Sequence, residues 1–292
     1  MKLTTIFYYT DEFCKQFEKE FNTHVLSEGN GKRARKQSLI LSEVMTIASY
    51  YHCSGYKTFK DYYTKSAELK SAFPTMPSYN RFIELQQKAC MPLAIFAKLQ
   101  SSAECNGFSF IDSFPLRVSH EKRVYSHKTF RGLAAKGKTS TGWFYGFKLH
   151  VVINTKGEII DFEITAGNVS DNNAPVIEKL MQKVHGKVYG DKGYLLNENL
   201  FQKLYSGGVH VVTKIRKNMK NKLMDLGDKI LLKKRGLIES VGAVFKEDLD
   251  IEHSRYRAPI TLFINVFTAL IAYSFQAKKP TIHKNGLVFL TA

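Results

Sequence analysis

At Gly107 the hydrophobic pattern of this chain changes from a helical to a strand period, and that switch limits the fold more than any other feature. Upstream, Phe13, Phe17 and Phe21 recur at i, i+4 and i+8, on one face of a helix that Thr10 or Asp11 is placed to cap. Leu39 to Tyr51 repeats the helical pattern, after a basic cluster at Lys32-Arg33-Ala34-Arg35-Lys36. Ser78 stands where a cap belongs, ahead of a helix opening with Tyr79-Asn80-Arg81-Phe82. Downstream, FSFID (108–112) reads as a buried strand and FYGFKLHVVIN (144–154) as a second. EIIDFEIT (158–165) follows the turn Thr155-Lys156-Gly157 as a third, and so short a link makes that pair antiparallel. A helix from Asn173 to Val184 carries the stripe Val176, Ile177, Leu180 and Met181. KVYGD (187–191), a helix over Asn197 to Tyr205 and HVVTKI (210–215) complete the series. Three strands, then helix, strand, helix and strand make a mixed α/β layer.

Charge narrows the partner. Lys+Arg number 43 against 26 Asp+Glu, a net +17 with a pI near 9.6. Such an excess repels itself unless an anionic polymer meets it, which points to nucleic acid. The four cysteines are scattered with no C-x-x-C, so neither a zinc ribbon nor a disulfide framework is indicated and a reducing cytoplasm is expected. Asp11 and Glu12 precede any apolar run long enough for a signal peptide. Ile260 to Phe275 is broken by Asn265, Thr268 and Ser274 and is shorter than the ~20 residues a bilayer requires, so it reads as a buried helix and no membrane is involved. The N-terminal helices suit either a helix-turn-helix reader of the major groove, with Arg81 among its contacts, or a small helical cap whose Arg81 only faces solvent.

Three acids carry the candidate chemistry. Asp112 closes the first strand, and Asp191 ends the fourth before the turn Lys192-Gly193-Tyr194. The element order is the one found in ribonuclease-H-like domains, where strands one and four are neighbours, so these carboxylates would converge. Close like charges call for a cation between them. Glu239 lies in KRGLIESVGAVFK (234–246), where helical spacing puts Ile238, Val241 and Phe245 inward and Arg235, Glu239, Ala243 and Lys246 on another face. Arg235 or Lys246 can hold a phosphate there. The bland alternative is an exposed helix with an i,i+4 ion pair worth about 0.2–0.5 kcal/mol. Asp171 in NVSDN (168–172) reads as a helix cap, and Asp161 and Glu163 as water-facing. On the second strand Lys148 is read as a DNA contact and His150 as a satisfied strand residue. Lys192 suits a phosphate or simple turn solvation equally. Trp143 and the tyrosines are read as mostly core, with stacking on displaced bases the alternative. None of the nine histidines forms the H-x-H pair of a rolling-circle nuclease.

FIDSFP (110–115), VYGDKGY (188–194) and R-x3-E-x6-K around Glu239, with YGFKLH and TAGNVSD between, resemble the DDE transposases of bacterial insertion sequences, most of all the insertion-sequence 982 family. The resemblance spans about Phe108 to Arg257, and Leu232 replaces a tyrosine that related families place three residues before the arginine. It implies a ribonuclease-H-like mixed sheet with flanking helices over 101–279. An all-α DNA-binding domain over 1–100 would precede it and a tail over 280–292 would follow. It implies Asp112, Asp191 and Glu239 as catalytic and metal-binding triad, with two Mg2+ (or Mn2+) ions per site. Arg235, Lys246, Lys148, Lys192 and Arg81 would be DNA contacts. The implied function is binding of terminal inverted repeats, metal-dependent strand cleavage and strand transfer on double-stranded DNA, by a homodimer in the bacterial cytoplasm and nucleoid. A simple DNA-binding regulator leaves the three acids unexplained, and a host nuclease of the same fold would cut without joining.

Overall fold

The computed structural model describes residues 2–27, 38–139, 142–214, 224–252 and 256–282. The Lys32–Lys36 cluster, the side chain of Phe21, Ile215 and most of the tail lie outside the described residues. The chain divides into two units, one over 1–100, 248–250 and 258–277, the other over 101–247, 251–257 and 278–292.

The first unit is helical: α1 (Leu3–Ser27), α2 (Leu41–Tyr50), α3 (Phe59–Lys65), α4 (Ala67–Ala72), α5 (Tyr79–Lys88), α6 (Cys90–Gln100) and, from far along the chain, α11 (Pro259–Ser274). Helix α1 begins a full two turns before the expected cap, because Leu3, Ile6 and Cys14 extend a buried stripe through Thr10. Phe13 meets Phe17 and Phe96 with ring centroids 5.6 and 4.9 Å apart. Thr58 and Ser66 accept amide hydrogens at the starts of α3 and α4, whereas Ser78 precedes α5 without a side-chain cap bond. Phe59, Tyr62, Tyr63, Tyr79 and Phe82 form one aromatic cluster between α3 and α5. The apolar α11 is buried against α6 and α2. No described helix is long and apolar enough to cross a membrane, and all four cysteines are free thiols.

His52 is the titratable group sealed in this core. Its Nδ1 donates to the Leu249 carbonyl at 2.6 Å, and Nε2 meets Thr268 Oγ1 at 2.9 Å. Burial lowers its pKa to about 4 from 6.5, against the Leu249 carbonyl, which favours the proton. Below 6.5 the unfolded chain therefore takes up a proton that the folded one refuses. The stability is complete above that pH and drains away towards pH 4, by about 3 kcal/mol in all. Urea unfolding should show this loss between pH 7 and 4.5, and His52→Gln should remove that part of the slope. An unchanged slope in the variant would exclude His52 as its source.

The second unit is the sheet with its covering helices: β1 (Phe108–Ser119), β2 (Ala135–Thr139), β3 (Gly142–Asn154), β4 (Ile159–Ala166), α7 (Ala174–Leu180), β5 (Gly186–Gly190), α8 (Glu198–Ser206), β6 (Val209–Thr213), α9 (Leu226–Lys234) and α10 (Gly236–Ala243). β3 lies antiparallel to β1 and to β4, and β1, β5 and β6 run parallel. The three-strand meander followed by two parallel strands is a ribonuclease-H-like sheet. The short β2 is an addition that the sequence did not reveal, since AKGKT has no apolar alternation; it extends the β4 side of β3. Asp161 is buried, contrary to the water-facing expectation, because helix α7 covers that face of β4. Ile111, Val152, Ile160, Ile177, Leu180 and Val188 fill the core between sheet and α7.

Candidate active site

The site is built on β1. Its parallel partner β5 is registered only at Phe108↔Lys187, Ser109↔Val188 and Phe110↔Tyr189, whereas β3 stays with β1 as far as Ser119↔Tyr145. Asp112 therefore does not close the strand, as its place after the apolar run suggested; β1 continues to Ser119. The parallel pairing is what ends, after Phe110, and Pro115 is tolerated because β1 has by then lost one neighbour. The Phe110 and Tyr189 rings meet on one sheet face, 5.8 Å between centroids. Two residues further along each strand stand Asp112 and Asp191. Asp191 keeps an extended backbone (φ −75, ψ 174), so alternation turns both carboxylates to that same face.

Helix α10 brings the third acid. Its Ile238 and Val241, with Phe245 beyond its end, are buried, which leaves Glu239 on the exposed side. Gly242 fixes how closely α10 meets β1: a Cβ there would lie 2.2 Å from Phe114 Cε1, so only glycine admits that ring. Arg235, immediately ahead of α10, then reaches both acids. Its Nη1 donates to Asp112 Oδ2 at 2.9 Å and its Nη2 to Glu239 Oε1 at 2.5 Å. The i,i+4 pair foreseen as the bland alternative thus exists, but it has a third member from a strand more than a hundred residues away. Burial pushes the Asp112 carboxyl above the usual carboxylate range, and the Arg235 charge opposes that rise. With Arg235 between them, no three acidic, histidine or cysteine side chains among the described residues stand close enough to hold a metal ion.

The remaining expected residues are dispersed. Lys192 follows Asp191 on the exposed turn. Lys246 is exposed, with Nζ 4.0 Å from Glu252 Oε2. Leu232 is buried in α9. Arg81 is exposed on α5 of the helical unit and pairs with Glu84. Lys148, expected to face DNA, is only 9% exposed, and its ammonium donates to the Val169 carbonyl and to Asp171 Oδ1, each at 2.9 Å. Alternation puts Lys148 and His150 on the sheet face opposite Asp112. His150 Nε2 meets Thr165 Oγ1 at 2.9 Å, but its buried Nδ1 has no partner among the described residues, so it is only half satisfied.

Asp171 is the residue that reading the sequence missed. Asn173, not Asp171, caps α7, accepting from the Val176 amide. Asp171 instead accepts from Ser113 Oγ at 2.7 Å as well as from Lys148. It ties the loop after β4 to the residue next to Asp112. The only hint in the sequence was a second Asx residue two places on, equally able to cap.

A family model described as a transposase DDE domain matches residues 102–259. No curated protein matches the sequence. Among solved structures, the Mos1 strand transfer complex is similar at 10% identity, over 90% of this chain and 84% of that one, with a TM-score of 0.24. That likeness is too distant to bear on fold or chemistry.

Proposed function

Since the chain belongs to the transposase DDE domain family, we propose that it binds the terminal inverted repeats of an insertion sequence of the 982 type, cuts the DNA there and joins the freed ends to a target. It is a transposase and a DDE-type nucleic-acid-cleaving enzyme; the substrate, the residues and the metal are this reading. One observation supports it: the Arg235 guanidinium bonds both Asp112 and Glu239, and Asp112 and Asp191 each follow by two residues the last registered pair of their parallel strands, Phe110 and Tyr189.

The donor set fits a divalent cation. Three carboxylates offer oxygen alone, which suits Mg2+ or Mn2+, and burial already disfavours an uncompensated charge on Asp112. Asp112, Asp191 and Glu239 would hold the metal, two ions in this reading. When bound, such ions stabilise charge on the attacking and leaving oxygens of a phosphodiester. Glu239 is free to turn, since 59% of its side chain is exposed. Arg235, released from it, is placed to hold a phosphate oxygen, and Lys246 and Lys192 offer further phosphate contacts at the rim. No protein nucleophile is required: water serves for cleavage and the liberated 3′-hydroxyl for joining.

The helical unit is read as the DNA-binding domain, over 1–100, with Arg81 among its phosphate contacts. The catalytic domain is read within 101–279, less α11 (Pro259–Ser274), which groups with the helical unit. Synapsis of two ends calls for a homodimer on DNA, and the setting is the bacterial cytoplasm. Supplying precut element ends, a target plasmid and Mg2+ tests the joining step. Covalently joined product is expected; cutting without joining would identify a nuclease instead.

A further inference from the structure

The far end of the same sheet carries a surface that the chemistry above does not use. From Arg117 to Lys138 the sequence RVSHEKRVYSHKTFRGLAAKGK holds seven Lys and Arg against one acid, Glu121, and all seven are exposed. At its end, β2 and β3 pair Lys138 with Trp143 and Lys136 with Tyr145, which puts both lysines and the indole on one face. The Lys136 and Lys138 ammonium groups lie 4.7 and 5.4 Å from the Trp143 ring centroid, and the indole is 51% exposed.

A cation over an exposed ring is worth only about 0.5–1 kcal/mol, which explains one lysine there. Lys136 Nζ also lies 3.8 Å from Glu121 Oε2, an exposed pair worth at most about 1 kcal/mol, and neither contact accounts for a second ammonium, that of Lys138, beside a half-exposed indole. Positive charge interleaved with a flat apolar ring matches a nucleic-acid strand, whose phosphates meet ammonium groups while sugar and base faces meet aromatics. The strand register supplies the geometry. Val151 pairs with Asp112, and Val151, Leu149, Phe147, Tyr145 and Trp143 alternate onto one face. Trp143 thus emerges on the sheet face that bears the carboxylates. The eight residue steps from Val151 to Trp143 span at most about 26 Å at ~3.3 Å each. That is about seven or eight base-pair steps of duplex, at ~3.4 Å each.

We propose that Trp143, Lys136 and Lys138 form a distal DNA contact, gripping the backbone of the same duplex whose phosphodiester reaches Asp112. This rests on the DNA reading above, so the test separates the two. Trp143 is the only tryptophan, and its emission therefore reports on this surface alone. The full chain is titrated, without divalent metal, with a dye-labelled 30-base-pair duplex (a length of about 100 Å at ~3.4 Å per step), reading dye anisotropy and Trp143 emission together. Emission should be quenched as anisotropy rises, and bound DNA should shield the indole from acrylamide. Lys136→Gln/Lys138→Gln should lower the slope of log affinity against log salt by about 2, at ~0.9 for each phosphate that is no longer neutralised. DNA binding with unchanged emission, unchanged acrylamide access and an unchanged salt slope overturns the distal contact and leaves the DNA reading standing. No anisotropy change at all overturns both. Should the double variant fold poorly, the emission and acrylamide readouts on the natural chain still decide.

Discussion

Asp112→Asn is expected to abolish metal-dependent strand cleavage while leaving DNA affinity nearly intact. The amide keeps the shape of the carboxyl and can still accept from Arg235 Nη1, so the local fold survives. In the proposed reading, what disappears is one negative charge on an oxygen that would hold the metal. Metal stabilisation of a phosphodiester transition state amounts to several kcal/mol. Losing about 4 kcal/mol of it costs about 10³-fold in rate, at 1.36 kcal/mol per factor of ten. Affinity for a duplex, dominated by lysine and arginine contacts to phosphates, should stay within about threefold. Glu239→Gln should behave alike. Cleavage by Asp112→Asn at a rate within about tenfold of the natural chain would remove Asp112 from the metal-holding set. The comparison is made on one labelled duplex carrying the element end, with Mg2+ present, and with binding measured separately in EDTA.

The second large effect is expected on stability. Lys148→Met takes the ammonium away from Asp171 and from the Val169 carbonyl, both at 2.9 Å. The side chains of Lys148 and Asp171 are 11% and 29% exposed, so the abandoned carboxylate is poorly hydrated, with Ser113 Oγ as a remaining donor. Breaking one partner out of a buried ion pair costs about 3–5 kcal/mol, and the partial access of Asp171 to water puts this case near the lower figure, about 3 kcal/mol. Lys148→Met/Asp171→Leu should recover much of that loss, because no uncompensated charge is left behind. Denaturant unfolding of the two variants checks it. A Lys148→Met loss below about 0.5 kcal/mol would mean that the pair is solvated and contributes like a surface bridge.

Much of this molecule could be read residue by residue. The inward stripe Ile238, Val241 and Phe245 is buried as its spacing required, and the strands at 144–154, 158–165 and 187–191 lie within a few residues of their expected bounds. Two errors share one cause. The apolar run stops at Asp112, yet long pairing with β3 holds the chain extended to Ser119. The stretch AKGKT looks like a loop, yet the same strand β3 recruits it as β2. In both places a partner distant in sequence outweighed local preference, as happens wherever cross-strand contacts rather than backbone propensity set the energy.

Lys148 shows the same division at the level of a single side chain. A lysine on a strand near two acids reads as a cation available to an anionic partner, but its ammonium is already held by Asp171, whose position depends on the loop after β4. Trp143 errs in the opposite sense, apolar enough for the core and yet half exposed at the end of β3. What the sequence determined was the order of the main helices and strands, β2 apart, and the positive charge, because period, composition and residue chemistry are local properties. What only the tertiary structure decided was that Arg235 links Asp112 to Glu239, that Asp171 faces Lys148, and that α11 belongs with the N-terminal helices. Those relations depend on which surfaces meet across long stretches of chain, and burial favours apolar contact without specifying the partner.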